Sequence, residues 1–496
     1  MRLGAPESAR GHRQKMEGPA MAQDKFQVEK YSTDFVPHAE RYGKARNLFS
    51  LWFAINMNIL TIATGAISVA LGLPLLWAVV AAIIGHALGA IFMGLHSAQG
   101  PLLGIPQMIQ SRAQFGYFGS IFPLLLVVLM YIGYFAVAGV LTGNAVASWF
   151  GWDVNISIIL MNTLAAVIAI YGYRLLRASV TVLSWISGIA FLVLTIGLLA
   201  RNDLTPALAQ GEFSWGAFLL AVTLAATWQL TYAPYAADYS RYLPANTTVR
   251  ASFWWAYLGS ATSSIWMFAF GAAAAAVAAD SFAGGSVSFV VEQAGFAPWI
   301  FLLVIGAGNV VIMGIDVYGA FMTTTTISGA LRDSKAVSRG GRVFTMSAIA
   351  AAGTVLAIAG RGDFLNNLMN FIVLLTVILV PWTAINLVDF YLVRKGQYVL
   401  AAIYDRKGRY RGVDWRAMTA YAIGVLSEVP FMSTPVFTGW LVEPLGGGNI
   451  SWLVGVLFAG GSYYYLMRRY PKRHGYLPVP TSQADDPADR RESAAR

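Results

Sequence analysis

Asp316 stands in an apolar run, "GAGNVVIMGIDVYG", where Asn309, Met313 and Asp316 recur at i, i+4 and i+7, the spacing of one helical face. A carboxyl inside such a run is costly to charge, so it holds a proton, pairs with a Tyr or Asn on a neighbouring helix, or lines a polar path. A second unusual stretch, "TWQLTYAPYAADYSRYLP" from Thr227 to Pro244, follows the apolar "FLLAVTLAA". It carries Gln229, Thr231 and Pro234, then Asp238 and Arg241 three residues apart, close enough to pair on a helical turn. A third, "NLFSLWFAINMNILTIATGAIS", holds Asn56 and Asn58 about halfway along. Amides at such depth either orient a polar ligand or join two helices.

These groups bind and orient; they do not form a bond-breaking constellation. The chain has no cysteine, which excludes a disulfide frame, a thiol nucleophile and a Cys-ligated metal. Asp316, the lone Glu428 and five scattered histidines do not supply a convergent acid, base or metal site, so no enzyme and no cofactor is expected. His86 and His96 read as packed or near-interface residues.

The elements that position these residues follow from composition. Of 496 residues 57% are hydrophobic and 12% charged, against roughly a quarter charged in ordinary globular chains. Apolar blocks on the order of 20 residues recur from Leu48 to about Met467, the mark of a polytopic all-α integral membrane protein. About twelve transmembrane helices are expected, near 48–72, 76–97, 119–148, 154–173, 178–200, 213–237, 251–279, 298–329, 342–360, 364–393, 413–437 and 449–467. The net charge of +10 sits in alternate loops, around Arg112, Arg174, Arg177, Arg241, Arg250, "RDSKAVSRGGR", "YDRKGRYRGVDWR" and "RRYPKRHG", with only Arg201 and Arg361 on the other side. This is a topology signal and not a nucleic-acid footprint: both termini are expected on the cytoplasmic side of an inner membrane. Residues 1–46 are polar, lack a signal-peptide core and offer Met16 and Met21 as alternative starts; residues 471–496 read as a second polar tail.

If the first ten spans divide into two groups of five, the second group is inverted, because five is odd. Inverted repeats place a ligand near the bilayer midplane between helices interrupted at matching positions, here spans one and six. Both interruptions are present, at Asn56–Asn58 and at Gln229–Pro234.

At this point the chain resembles the nucleobase:cation symporter-1 family of cytosine, purine, allantoin and uracil permeases and the benzylhydantoin transporter. The matching segments are "NLFSLWFAINMN", "GIPQMIQSRAQFGYFGS", "YAADYSRYLP" and "PWTAINLVDFYLVRKGQY", in the family's order between about residues 47 and 400. The resemblance implies two inverted five-helix repeats, 47–201 and 202–395, then a loop and two accessory helices over 396–470. It also implies a small planar heterocycle bound between spans one, three, six and eight. On the residues matched, Asn58 is a substrate-facing amide, Tyr131 takes the place of a stacking Trp, and Phe135 replaces a polar residue of relatives. Gln229 falls at a second stacking position, with Trp228 or Tyr232 as the alternative ring face, and Asn309 and Met313 contribute from span eight. Sodium-coupled relatives use span-one carbonyls, here those of Ala54 and Met57, and two span-eight hydroxyls; the latter positions are Ala307 and Gly308. With those oxygens gone, a proton carried by Asp316 is preferred over sodium as coupling ion. Asp238 and Arg241 read as a gating pair, with Tyr239 and Tyr242 at headgroup level and a polar patch at Gln107, Gln110, Ser111, Arg112 and Gln114 nearby.

The expectation is therefore a secondary active transporter, monomeric in its lipid bilayer, importing a nucleobase or related heterocycle. A pyridine-derived vitamin is an alternative cargo. A channel is disfavoured, since no ring of charge or carbonyl filter is visible.

Overall fold

Asn58 ends one helix and begins another. Its backbone is extended (φ −147°, ψ 160°), its side-chain oxygen accepts the Thr61 N–H at 3.0 Å, and its Nδ2 donates to the Ile55 carbonyl at 2.8 Å. One side chain thus satisfies groups at both helix ends, which hydrocarbon would otherwise leave unpaired at several kcal/mol each. The two halves of span one, α1 (Asn47–Ile55) and α2 (Ile59–Ala70), meet at 62°.

The computed structural model describes residues 33–171, 173–209, 211–278, 287–332, 338–434 and 436–471. The tails before 33 and after 471, and residues 333–337 of one basic loop, lie outside them. Each expected span has a helix at its place. After α2 come α3 (Leu75–Ser97), the short α4 (Gln107–Phe115), α5 (Ile121–Phe150), α6 (Val154–Tyr171) and α7 (Tyr173–Arg201). Span six is α8 (Trp215–Leu230) and α9 (Ala233–Ser240), followed by α10 (Val249–Val277), α11 (Pro298–Arg332), α12 (Arg339–Gly360) and α13 (Phe364–Val388). The last two are α14 (Trp415–Glu428) and α15 (Ser451–Arg469). Span eleven is shorter than its apolar run, because a 3₁₀ turn at Val429–Phe431, with Pro430 in it, stops α14.

Packing divides the spans. α1 and α2 lie on α10, and α3 lies on both α8 and α10; α5 packs on α6, α11 and α12, and α11 also on α6 and α12. α7 touches α1 and α11, while α13 touches α8 and α5, so each of these two bridges both groups. Small residues set the approach within the first group. A Cβ added at Gly89 would lie 2.8 Å from Ala226 Cα, and one at Gly259 2.8 Å from Phe49 Cα, so only glycine lets these backbones meet.

The basic end of the bundle is closed by polar chemistry. All nine residues of α4, "QMIQSRAQF", are buried. The Gln107 N–H donates to Asp238 Oδ1 at 2.6 Å, Trp382 Nε1 donates to Ser111 Oγ at 2.9 Å, and Gln114 Nε2 donates to Asp389 Oδ2 at 3.1 Å. Asp389 is fully buried and also accepts Arg394 Nε at 2.8 Å and the phenols of Tyr398 and Tyr463 at 2.8 Å each. Burial and the adjacent carboxylate hold the Tyr398 phenol well above its ordinary range, so it remains a donor. The segment from Trp382 to Tyr398 is thereby clamped to α4 and α15. Asp389→Ala leaves Arg394 buried without its counter-charge and is expected to cost about 3–5 kcal/mol. Tyr463→Phe removes one charge-assisted hydrogen bond and costs less, about 1.5–3 kcal/mol. Thermal unfolding of the purified proteins in detergent checks the order; equal melting temperatures for wild type and Asp389→Ala would refute it.

Candidate functional site

The bend in span one opens a cavity of about 100 Å³. Ala54 and Met57 from the bend form one side, Tyr131 of α5 and Tyr235 and Tyr239 of α9 a second, and Ser187 of α7 with Gly308 and Asp316 of α11 a third. Tyr131 and Tyr235 lie nearly parallel, centroids 6.0 Å apart at 29°, and Trp52 is nearly parallel to Tyr235 as well, at 6.2 Å and 27°. Tyr239 stands edge-on to Trp52 at 5.6 Å. Gly319 makes room for the Tyr131 ring, since a Cβ there would fall 2.6 Å from its Cζ.

Asp316 is 9% exposed and faces this cavity, and its Oδ2 has no hydrogen-bond partner. Among the described residues that line the cavity there is no Lys, Arg or His. The wall that α11 presents is Gly308, Val311, Ile312, Ile315 and Asp316, a helical stripe one position removed from the Asn309–Met313–Asp316 face.

The expected ligand contacts are distributed differently from the sequence reading. Ala54, Met57 and Asp316 line the cavity together with Tyr131. Asn58 is spent on the two helix ends. Trp228 Nε1 at 2.9 Å and the Tyr232 hydroxyl at 2.6 Å both donate to Asn56 Oδ1, fastening the turn in span six to the bend in span one. Gln229 points the opposite way: its Oε1 accepts from Ser260 Oγ at 2.7 Å, and its Nε2 donates to Ser264 Oγ at 3.1 Å and lies 3.3 Å from His86 Nδ1. It has no atom left for a ligand on the cavity side, so the ligand contact expected of Gln229 is corrected to a junction among spans two, six and seven.

Phe135 is fully buried in the apolar cluster with Met313 and Val317, where Gly353 of α12 leaves space for it. Met313 is fully buried, with its sulfur 3.8 Å from Thr142 Oγ1. Asn309 Nδ2 donates to Thr142 Oγ1 at 2.6 Å and lines a second, apolar cavity of about 580 Å³ that also includes Ala307. Arg241 Nε reaches the Asp238 carbonyl at 3.2 Å and Nη1 the Asp34 carbonyl at 3.1 Å, while the Asp238 carboxylate caps α4. Tyr239 belongs to the cavity and not to the headgroup level. Sequence reasoning missed Tyr235, Tyr239 and Ser187 as wall residues. Tyr235 and Tyr239 are spaced i and i+4, which puts them on one face of α9.

Comparison with known proteins agrees with this architecture. Residues 35–455 match the family model described as permease for cytosine/purines, uracil, thiamine, allantoin. The chain is 41% identical to YxlA of Bacillus subtilis, provisionally named a purine-cytosine permease, over 91% of this chain and 98% of that one. It is 25% identical to the purine-cytosine permease fcyB of Emericella nidulans, over 88% of each chain. Inward-facing Mhp1 superposes with a TM-score of 0.70 at 18% identity, covering 89% of this chain and 94% of that one. Closed Mhp1 with bromovinylhydantoin bound, described as a nucleobase-cation-symport-1 family transporter, gives 0.69 at 18% identity, covering 90% and 97%.

Gln229→Ala strips Ser260 and Ser264 of their amide partner inside the bundle and is expected to lower stability by about 1–3 kcal/mol. Thermal unfolding in detergent reads this directly, and an unchanged melting temperature would show that the junction carries no weight.

Proposed function

The chain belongs to the family of permeases for cytosine/purines, uracil, thiamine and allantoin, and from that premise we propose that it imports one small planar nitrogen heterocycle by alternating access, coupled to a proton on Asp316. It is a multi-pass membrane transporter and not an enzyme. The observation that carries the proposal is the cavity at the bend of span one, with tyrosine faces from α5 and α9 and a lone carboxyl from α11.

Its 100 Å³ lies well below the roughly 300–1,000 Å³ of drug-sized sites, which suits a free base and not a nucleoside. Flat rings with offset stacking are what Tyr131 and Tyr235 offer. The site lies where a discontinuous span places a transported ligand. A carboxylate at this depth with no basic neighbour on the cavity wall needs a cation from outside, and a proton is the one that needs no coordination shell. The charge of the loops at the Arg241 end supports reading that end and both termini as cytoplasmic, in an inner membrane.

Sodium is the second reading, favoured by one observation. Ser187 Oγ lies 3.4 Å from where a Gly308 Cβ would be, beside Ala54, Met57 and Asp316, so α7 offers a hydroxyl where α11 has none. A hard cation with several oxygen ligands would use it.

Uptake into proteoliposomes, with labelled cytosine, adenine, uracil and allantoin as the panel, separates these readings. An inward proton gradient is expected to drive accumulation of at least one of them without sodium. Asp316→Asn is expected to abolish accumulation while sparing counterflow exchange, and Ser187→Ala to change neither. Accumulation that needs sodium and falls in Ser187→Ala would transfer the coupling role to the second reading.

A further inference from the structure

Asp316 is the one acidic group on the cavity wall among the described residues, and the protein gives its Oδ2 no donor. The remaining wall consists of aliphatic side chains, the Ser187 hydroxyl and the phenols of Tyr131, Tyr235 and Tyr239. A ring lying beside the tyrosines therefore shares the cavity with a carboxyl whose Oδ2 the protein leaves without a hydrogen-bond partner.

We propose that Asp316 reads this edge, and that it selects rings in which a basic ring nitrogen adjoins an exocyclic amino group over rings in which a ring N–H adjoins a carbonyl. The inference rests on the heterocycle-transport reading above and assigns the specificity of that same site.

The argument is one of donor and acceptor counts. A protonated carboxyl has one donor and one acceptor side by side, and an ionised one has two acceptors. The amino edge makes two hydrogen bonds with the protonated acid, and keeps two with the ionised acid when the acid's proton has moved to the ring nitrogen. With the protonated acid, the acid O–H donates to the ring nitrogen and the amino N–H donates to the acid carbonyl. When the proton crosses that bond, the acid O–H breaks, a ring N–H forms, and a carboxylate then accepts from the ring N–H and the amino N–H. These charge-assisted bonds are the strong class. The oxo edge makes two bonds with the protonated acid only. Against the ionised form its carbonyl oxygen faces a carboxylate oxygen, and one buried acceptor is left unpaired, which is penalised more than a made bond is rewarded. A site built to pair with one edge thus rejects the other strongly. The amino edge also gives the coupling proton a place on the hydrogen bond shared by Asp316 and the ring.

Matched pairs test this with the purified full-length protein: cytosine against uracil, and adenine against hypoxanthine, by scintillation-proximity competition at constant pH. In the wild type the amino member of each pair that binds is expected to win by about tenfold or more, ~1.4 kcal/mol. In Asp316→Asn, the carboxamide has one donor and one acceptor whichever way it is flipped, so the preference is expected to shrink to within about threefold while binding persists. Wild-type protein that binds both members equally, or prefers the oxo member, overturns the edge assignment and leaves the transport reading standing. The same holds for an Asp316→Asn variant that keeps the wild-type ratio. Binding of no ring in the panel overturns the transport reading, and the edge assignment with it.

Discussion

A helix that stops inside a bilayer must find partners for its last carbonyls and the next helix for its first N–H groups, and at Asn56–Asn58 the protein meets that demand with side chains. Asn58 serves both helix ends. Asn56 extends the arrangement outward: its Nδ2 donates to Ser263 Oγ of α10 at 3.0 Å, and its Oδ1 accepts from Trp228 and Tyr232 of span six. Ser260 then passes the connection to Gln229, and Gln229 to His86 of α3. Spans one, two, six and seven are therefore joined by one chain of buried amides and hydroxyls as well as by glycine contacts. Such a group moves as a body, because separating any member leaves buried polar atoms unpaired.

The cavity lies at the edge of that group and faces the other. Tyr235 and the bend residues belong to the first group, Tyr131 and Asp316 to the second, and the contact across the cavity is ring stacking and apolar packing without a hydrogen bond between Tyr131 and Tyr235. Stacked faces tolerate sliding and separation better than a directed bond does. One directed bond does cross between the groups, from the Tyr134 hydroxyl of α5 to Thr231 Oγ1 in the turn of span six at 2.9 Å. Most such links lie within the first group and in the Asp389 clamp that joins α4, α13 and α15 at the basic end. A ligand entering the cavity thus meets a seam between two units and not the interior of one.

Most of the fold was legible because hydrocarbon imposes a single strong rule, and the span positions follow from run length alone. The interruption of span one was legible for the same reason, since amides at mid-run have few uses. Which use was not legible: Asn58 as ligand contact and Asn58 as cap leave the same residue at the same depth. The cavity-lining face of α11 lies one position from the Asn309–Met313 face, because a nearly uniform apolar helix gives no polar stripe to fix its rotation; Asp316 is common to both faces. A stacking role for Gln229 assumes regular helical geometry from Gln229 through the tyrosine-rich tail. The turn at Thr231–Tyr232 tightens locally, with the Tyr232 N–H bonded to the Gln229 carbonyl at i−3, and the aromatic wall falls to Tyr235 and Tyr239.

The two interruptions differ in kind, and the difference follows from their residues. Pro234 sits in the first turn of α9, where the N–H it lacks would have had no helical partner, so it starts a helix and does not break one. Span six accordingly runs from Trp215 to Ser240 as one stretch, while span one bends by 62°. The bend, not the proline, creates the space. It turns Ala54 and Met57 toward α11 at the height of Asp316, and the resulting pocket contains one carboxyl and no basic residue among those described. Neutrality at that point is not built into the protein. It has to be supplied by what enters, whether a proton, a metal cation or the ring itself, and this ties the occupancy of the cavity to charge.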